Sequence, residues 1–146
     1  MPTRTARTAW NGTLEQGSGQ VELSSSKVGT FEVNFPKRAA DDAGGTTSPE
    51  ELIAAAHSAC FAMALSNEIG KAGGDPQSLE ISADVTLGQK DGAPHITRIA
   101  LTVRGEVEGL DAAGFEKAAQ AAKSGCPVSK ALAGVDEITL DAALES

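Results

Sequence analysis

A chain of 146 residues and 14.8 kDa, with 40% hydrophobic residues, carries enough apolar material for one packed core and too little length for two ordinary domains. Twelve Lys plus Arg against twenty Asp plus Glu leave a net charge of −8, the wrong sign for phosphate backbones or anionic membrane surfaces. Aromatic residues at 3% offer no platform for stacking bases, so neither nucleic acid nor membrane is an expected partner.

The opening stretch Met1–Trp10 lacks the apolar core of a signal peptide. The longest apolar run, Leu52–Leu65, is interrupted by His57 and Ser58 and reads as too short to span a bilayer, so a cytoplasmic protein is expected. Cellular thiols keep cysteines reduced there, which disfavours a permanent bridge between Cys60 and Cys126 and leaves room for a transient, catalytic one. Their spacing also lacks the paired CxxC or HxxxH pattern of a metal site.

Along the chain, residues 4–35 alternate and are punctuated by glycine, which predicts two or three antiparallel strands with Asn11-Gly12 as a hairpin turn. Residues 36–47, "PKRAADDAGGTT", read as a polar loop, the kind of segment where binding residues collect. A helix follows. Ser48 is its expected N-cap, Pro49 suits the first helical position, and Glu51 completes a Ser-x-x-Glu capping box beside Glu50.

This helix is expected to end near Gly70 or at Gly73-Gly74. Leu52, Ala56, Ala59, Cys60 and Met63 fall on one side, and Ile53, Phe61 and Ala64 keep much of the rest apolar. Such a helix calls for burial on nearly all sides. Residues 79–89 and 95–109 alternate with period two and predict a hairpin around "KDGAP". Residues 111–123 form an amphipathic helix capped by Asp111 and interrupted by Gly125-Cys126-Pro127; "VSKAL" starts a short further helix, and "DEITLDAAL" is a last strand. The order ββ(β)-α-ββ-α-α-β makes an α+β domain over 1–146.

Each chemically suggestive residue also has an ordinary structural role. Free cysteine is among the most buried residue types, so Cys60 fits a core position. His57, three residues earlier, lies on nearly the same helical face and within reach of that thiol, and its ordinary role is that of a hydrogen-bonded interior or interface histidine. Cys126 stands at a helix start, where unpaired N–H groups and the helix dipole stabilise a thiolate. Glu50 and Glu51 serve the dipole, and Arg38 in a loop serves solvation.

The segments "TSPEELIAAAHSACFAMALS" and "AAKSGCPVSKAL" resemble the two signature segments of the osmotically inducible protein C family, the OsmC/Ohr group of thiol-dependent peroxidases. The resemblance covers essentially the whole chain, and His57 with "CPVSKAL" points to the OsmC branch. It implies a single OsmC-like domain, antiparallel sheets packed around a long central buried helix, and an intertwined homodimer with active sites at the interface. It also implies action on organic hydroperoxides and hydrogen peroxide. Cys60 matches the peroxidatic cysteine, Cys126 the resolving one and Glu50 the motif glutamate. Arg38 best matches the site arginine, with Lys37 and Arg7 as neighbouring basic alternatives.

No cofactor is implied. An external dithiol, a dihydrolipoyl group on a carrier protein or a small thiol, would recycle the disulfide. Ten residues of helix separate Glu50 from Cys60 by about 15 Å along the axis. Two such helices packed antiparallel about a dyad near residue 55 would bring Glu50 of one copy level with Cys60 of the other, with His57 expected as interface packing. Two other classes remain open: a cysteine hydrolase using Cys60 and His57, and a module that binds a hydrophobic ligand with its thiols incidental.

Overall fold

Alternating residues near the N-terminus form a three-stranded antiparallel sheet, β1 (Arg7–Asn11), β2 (Ser18–Glu22) and β3 (Thr30–Val33), in the order β1-β2-β3. The computed structural model describes all of Met1–Ser146 and divides into two compact units, Met1–Leu52 and Ile53–Ser146. Asn11 pairs with Ser18, so Asn11-Gly12 is not the two-residue hairpin expected from sequence; Gly12–Gly17 link the strands instead. The loop closes tightly, with Gly17 N–H donating to the Thr13 carbonyl at 2.7 Å. A Cβ at Gly17 would collide with the Thr13 and Asn11 carbonyl oxygens, so the turn is set by this second glycine as much as by the first.

The segment expected to be wholly loop begins with a short helix, α1 (Phe35–Ala39). Asn34 caps it, its Oδ1 accepting from Lys37 N–H at 2.9 Å, and Pro36 suits its first turn. Five residues are too few to display a helical period, which is why periodicity did not reveal it. Its last turn carries Arg38.

The long helix α2 (Pro49–Lys71) starts and ends where its caps predict. Ser48 Oγ accepts from Glu51 N–H at 3.1 Å, while the Glu51 carboxylate takes the Thr47 hydroxyl and leaves the reciprocal half of the capping box unmade. One stripe of α2 is fully buried, His57, Phe61, Leu65 and Ile69 at four-residue spacing. Ala55, Ala56, Ala59 and Met63 stay exposed in the single chain, Met63 at 73%, so burial on nearly all sides is not reached within one copy. At 23 residues α2 is, by length and composition alone, long and apolar enough to cross a membrane, which corrects the expectation drawn from Leu52–Leu65; its Phe61, Leu65 and Ile69 are instead committed to the core.

In the second unit β4 (Asp75–Lys90) and β5 (Ala93–Glu108) pair antiparallel around a two-residue turn, Asp91-Gly92. Both turn residues have positive φ, 52° and 78°, as a primed hairpin turn requires. A last strand, β6 (Glu137–Leu144), joins β5 in parallel, so the sheet β4-β5-β6 is mixed rather than wholly antiparallel. Parallel pairing needs a long crossover, supplied here by α3 (Ala112–Gly125) and α4 (Pro127–Ala131).

The core lies between α2, α3 and the inner face of β5: Phe61, Leu65 and Ile69 meet Ile99, Leu101, Val103 and Val107, with Phe115, Ala118, Ala119 and Ala122 of α3. At Gly105 a Cβ would come within 2.8 Å of the Phe115 ring, so glycine lets α3 approach the sheet there.

Candidate active site

Two pairs of the expected residues are brought together, one in each unit. In the second, Cys60 from the middle of α2 meets Cys126 at the joint between α3 and α4, with Sγ···Sγ at 2.8 Å. Both are free thiols, and they stand within about 1 Å of a disulfide bond length. Cys126 ends α3 through its N–H, which donates to the Ala122 carbonyl at 2.9 Å, and begins α4. The proline after it starts α4 without needing a donor of its own.

The two sulfurs differ in access and acidity. Cys126 is fully buried, whereas Cys60 is only partly so. Burial pushes the Cys60 thiol up, and the hydrogen bond with Cys126 adds to this; only the Val128 N–H acts the other way. For Cys126 burial also opposes the thiolate, but it is outweighed by hydrogen bonds from the Cys60 thiol, from the N–H and hydroxyl of Ser129, and from the Val128 N–H. Its acidity is therefore raised, although no capping hydrogen bond of regular geometry forms at this helix start. Of the two, the inner sulfur is the more acidic and the outer one the more accessible.

A groove of about 540 Å³ opens beside Cys60, with Met63, Ala64, Ala121 and Pro127 as apolar walls and Asn67 and Lys71 toward one end. A small molecule entering it meets Cys60 and not Cys126.

In the first unit Arg38 of α1 and Glu50 at the start of α2 form a two-pronged ion pair, Nε to Oε1 and Nη2 to Oε2, each 2.9 Å. Glu50 is buried at 6% exposure, and a buried carboxylate held by a planar guanidinium is geometrically fixed. The Glu50 hydrogen bond, opposed by burial, holds the guanidinium above its already high ordinary value, and only two of its five N–H groups are spent on the carboxylate. The alternatives behave otherwise: Arg7 makes a loose, exposed pair with Glu22 at 3.7 Å, and no ion pair forms at Lys37. Arg38 also lines an apolar pocket of about 220 Å³ with Trp10, Leu14, Val33, Phe35 and Pro49. A third cavity, on the β1-β2-β3 sheet at Ala9, Asn11, Ser18 and Glu32, contains no cysteine.

His57 takes the hydrogen-bonded interior place rather than interface packing: it is fully buried inside the chain, because it continues the Phe61, Leu65, Ile69 stripe. Its Nε2 lies 2.7 Å from Ser129 Oγ, not on Cys60, and its Nδ1 has no partner. Ser129, itself buried, was missed from the sequence; its only signal was its place three residues after Cys126.

Burial holds the His57 imidazole below its ordinary value. The unfolded chain therefore takes up a proton below about pH 6.5 that the folded chain refuses, so folding stability falls as the pH drops through that range. Urea unfolding between pH 7 and pH 5 is expected to show this loss, and His57→Gln is expected to show less of it. No group of three or more His, Cys, Asp or Glu side chains is arranged to hold a metal ion.

A family model for OsmC-like protein matches residues 41–141, which include Glu50, Cys60 and Cys126. The chain is 44% identical to Peroxiredoxin OsmC of Escherichia coli K12 over 137 residues, 94% of this chain and 93% of that protein. It is 34% identical to organic hydroperoxide resistance protein OhrA of Bacillus subtilis over 97 residues, 66% of this chain and 67% of the relative. Among solved structures, organic hydroperoxide resistance protein OhrB of Bacillus subtilis superimposes with a TM-score of 0.71 at 28% identity, covering 97% of this chain and 98% of that one. An OsmC protein from Legionella pneumophila shares the fold with a TM-score of 0.73 at 22% identity, covering 98% of each chain. With its two thiols in contact on this fold and its sequence matched over 94% of its length, the chain belongs to the OsmC-like protein family.

Proposed function

We propose that this protein is a peroxide-reducing enzyme, a two-cysteine, non-haem peroxidase that converts organic hydroperoxides to alcohols and hydrogen peroxide to water in defence against oxidative stress. The observation that carries the reading is the 2.8 Å contact between a partly exposed Cys60 and a fully buried Cys126. Kinship with a peroxiredoxin and with organic hydroperoxide resistance proteins supports the substrate class.

Access decides the roles. Cys60 is the sulfur a hydroperoxide reaches; its thiolate attacks the distal oxygen, the O–O bond breaks, and the departing alkoxide takes a proton to leave as alcohol. Cys60 is then a sulfenic acid. The Cys126 thiolate attacks that sulfur, expelling hydroxide that is protonated to water, and the Cys60–Cys126 disulfide forms. An external dithiol, a small thiol or a lipoyl group on a carrier protein, returns two electrons and restores both thiols.

One requirement remains, because Cys60 within its own unit is held up by burial. A cation must offset that in the reacting state, and Arg38, braced by Glu50, is the group suited to it. The pair serves Cys60 of a second copy: the exposed Ala55, Ala56, Ala59 and Met63 face of α2 suits antiparallel packing in a homodimer, which sets Glu50 of one copy level with Cys60 of the other. The hydrolase alternative needs the His57 ring on Cys60, whereas its Nε2 is engaged by Ser129. A cytoplasmic setting, where dithiol reductants are kept reduced, completes the reading.

The test is to treat fully reduced protein with one equivalent of an organic hydroperoxide and follow intact mass and free thiols. Rapid loss of both thiols, with mass lower by two hydrogens, is the expected result. Thiols that outlast the peroxide exposure would rule the reading out.

A further inference from the structure

The buried histidine takes no part in the chemistry above, yet it ends beside that chemistry. His57 Nε2 and Ser129 Oγ lie 2.7 Å apart, both residues are buried, and Ser129 stands in the same turn of α4 that Cys126 begins. An interior imidazole in so apolar a stripe is neutral and carries one ring proton.

Where that proton sits follows from the partners. On Nδ1 it would be a buried N–H donor with no acceptor; on Nε2 it donates to Ser129 Oγ, and Nδ1 is left only as an unused acceptor. The second arrangement is cheaper, since a buried donor without a partner loses its hydration for nothing. Ser129 Oγ, occupied as an acceptor, keeps its own hydrogen to give, and Cys126, buried with it and three residues earlier in the first turn of α4, is the neighbouring acceptor; a hydroxyl donating there favours the thiolate. The ionisable groups facing Cys126 from α2 are Cys60 and, behind Ser129, His57; from α4 come only the Val128 and Ser129 groups.

We propose that His57 and Ser129 form a buried hydrogen-bond relay that holds Cys126 as the departing sulfur when a dithiol opens the Cys60–Cys126 disulfide. The proposal rests on the disulfide chemistry assigned above. In that step a reductant thiolate attacks Cys60 Sγ, a Cys60–reductant disulfide forms, and the Cys60–Cys126 bond breaks with its electron pair leaving on Cys126. The charge stays on that sulfur, and the Ser129 O–H stabilises it by donating a hydrogen bond. The reductant's second thiolate then attacks its own sulfur in the mixed disulfide, closing a cyclic disulfide and releasing Cys60 as thiolate. A leaving thiolate stabilised in this way departs faster and recaptures the bond less readily. His57 and Ser129 are positioning residues, acting through Cys126 and not on the reductant.

The experiment uses full-length protein carrying Ser129→Ala, Ser129→Thr or His57→Leu, each made with and without Cys60→Ser. In the Cys60→Ser background the ultraviolet absorbance of the remaining thiolate is titrated. Its midpoint is expected to rise by about one pH unit with Ser129→Ala, as loss of a hydrogen bond to a charged group implies, and to rise less with His57→Leu. Ser129→Thr, which keeps the hydroxyl, is expected to restore it. In the background with both cysteines the disulfide is formed with diamide rather than peroxide, and its reduction by dithiothreitol is expected to slow roughly threefold for Ser129→Ala and not for Ser129→Thr.

Unchanged midpoints and reduction rates would overturn the proposal, as would a Ser129→Thr protein no better than Ser129→Ala. Since neither readout involves a peroxide, failure of the relay and failure of the peroxidase reading are separate outcomes.

Discussion

Cys60→Ser is expected to lower the rate of hydroperoxide reduction by more than about a thousandfold, whereas Cys126→Ser is expected to leave the first turnover nearly intact and stop the cycle after it. The asymmetry follows from access. Cys60 lines the groove, and Cys126 is fully buried behind it. Without Cys126 the sulfenic acid on Cys60 has no neighbouring thiol to condense with, so a dimedone adduct should accumulate at Cys60 in the Cys126→Ser protein after one equivalent of peroxide. The reverse adduct, on Cys126 in the Cys60→Ser protein, is not expected, even though Cys126 is the more acidic thiol of the pair. Finding that reverse adduct at comparable yield would show that acidity and not access selects the nucleophile, and the two roles would have to be exchanged.

Local signals were readable where a few adjacent residues decide the backbone. Ser48 and Pro49 at the start of α2, Asp111 at the start of α3, and Asp91-Gly92 between β4 and β5 all act within one turn of chain, and each stands where it was expected. Pairing between distant segments was not readable in the same way. The direction of β6 depends on how α3 and α4 carry the chain back across the sheet, and nothing in "DEITLDAAL" records that it runs parallel to β5.

The buried face of α2 was legible in principle. Phe61, Leu65 and Ile69 are its bulky residues, but so many alanines surround them that several stripes look apolar, and the one through Ala56, Ala59 and Met63 turned out to be exposed. The same ambiguity left His57 open between an interior and an interface place, and its partner Ser129 went unnoticed. The meeting of Cys60 with Cys126 came from family resemblance; no periodicity or spacing rule joins α2 to the α3–α4 joint.

Arg38→Met is expected to cost about a hundredfold in the second-order rate with hydroperoxide at pH 7, comparable to the loss of one preorganised donor to a reacting anion. Its signature is in the pH profile. Burial holds the Cys60 thiol up, so reactivity climbs with pH as the thiolate forms; a guanidinium beside it moves that rise to lower pH, and its removal moves the rise back up. The defect of Arg38→Met should therefore shrink in alkaline solution, where the thiolate forms without help. Arg38→Lys keeps the charge but not the two-pronged grip on Glu50, and should fall between the two. If the Arg38→Met profile were displaced downward by a constant factor at every pH, the arginine would be orienting the peroxide rather than supporting the thiolate. If activity and profile were both unchanged, Arg38 and Glu50 would be a structural brace for α1 alone.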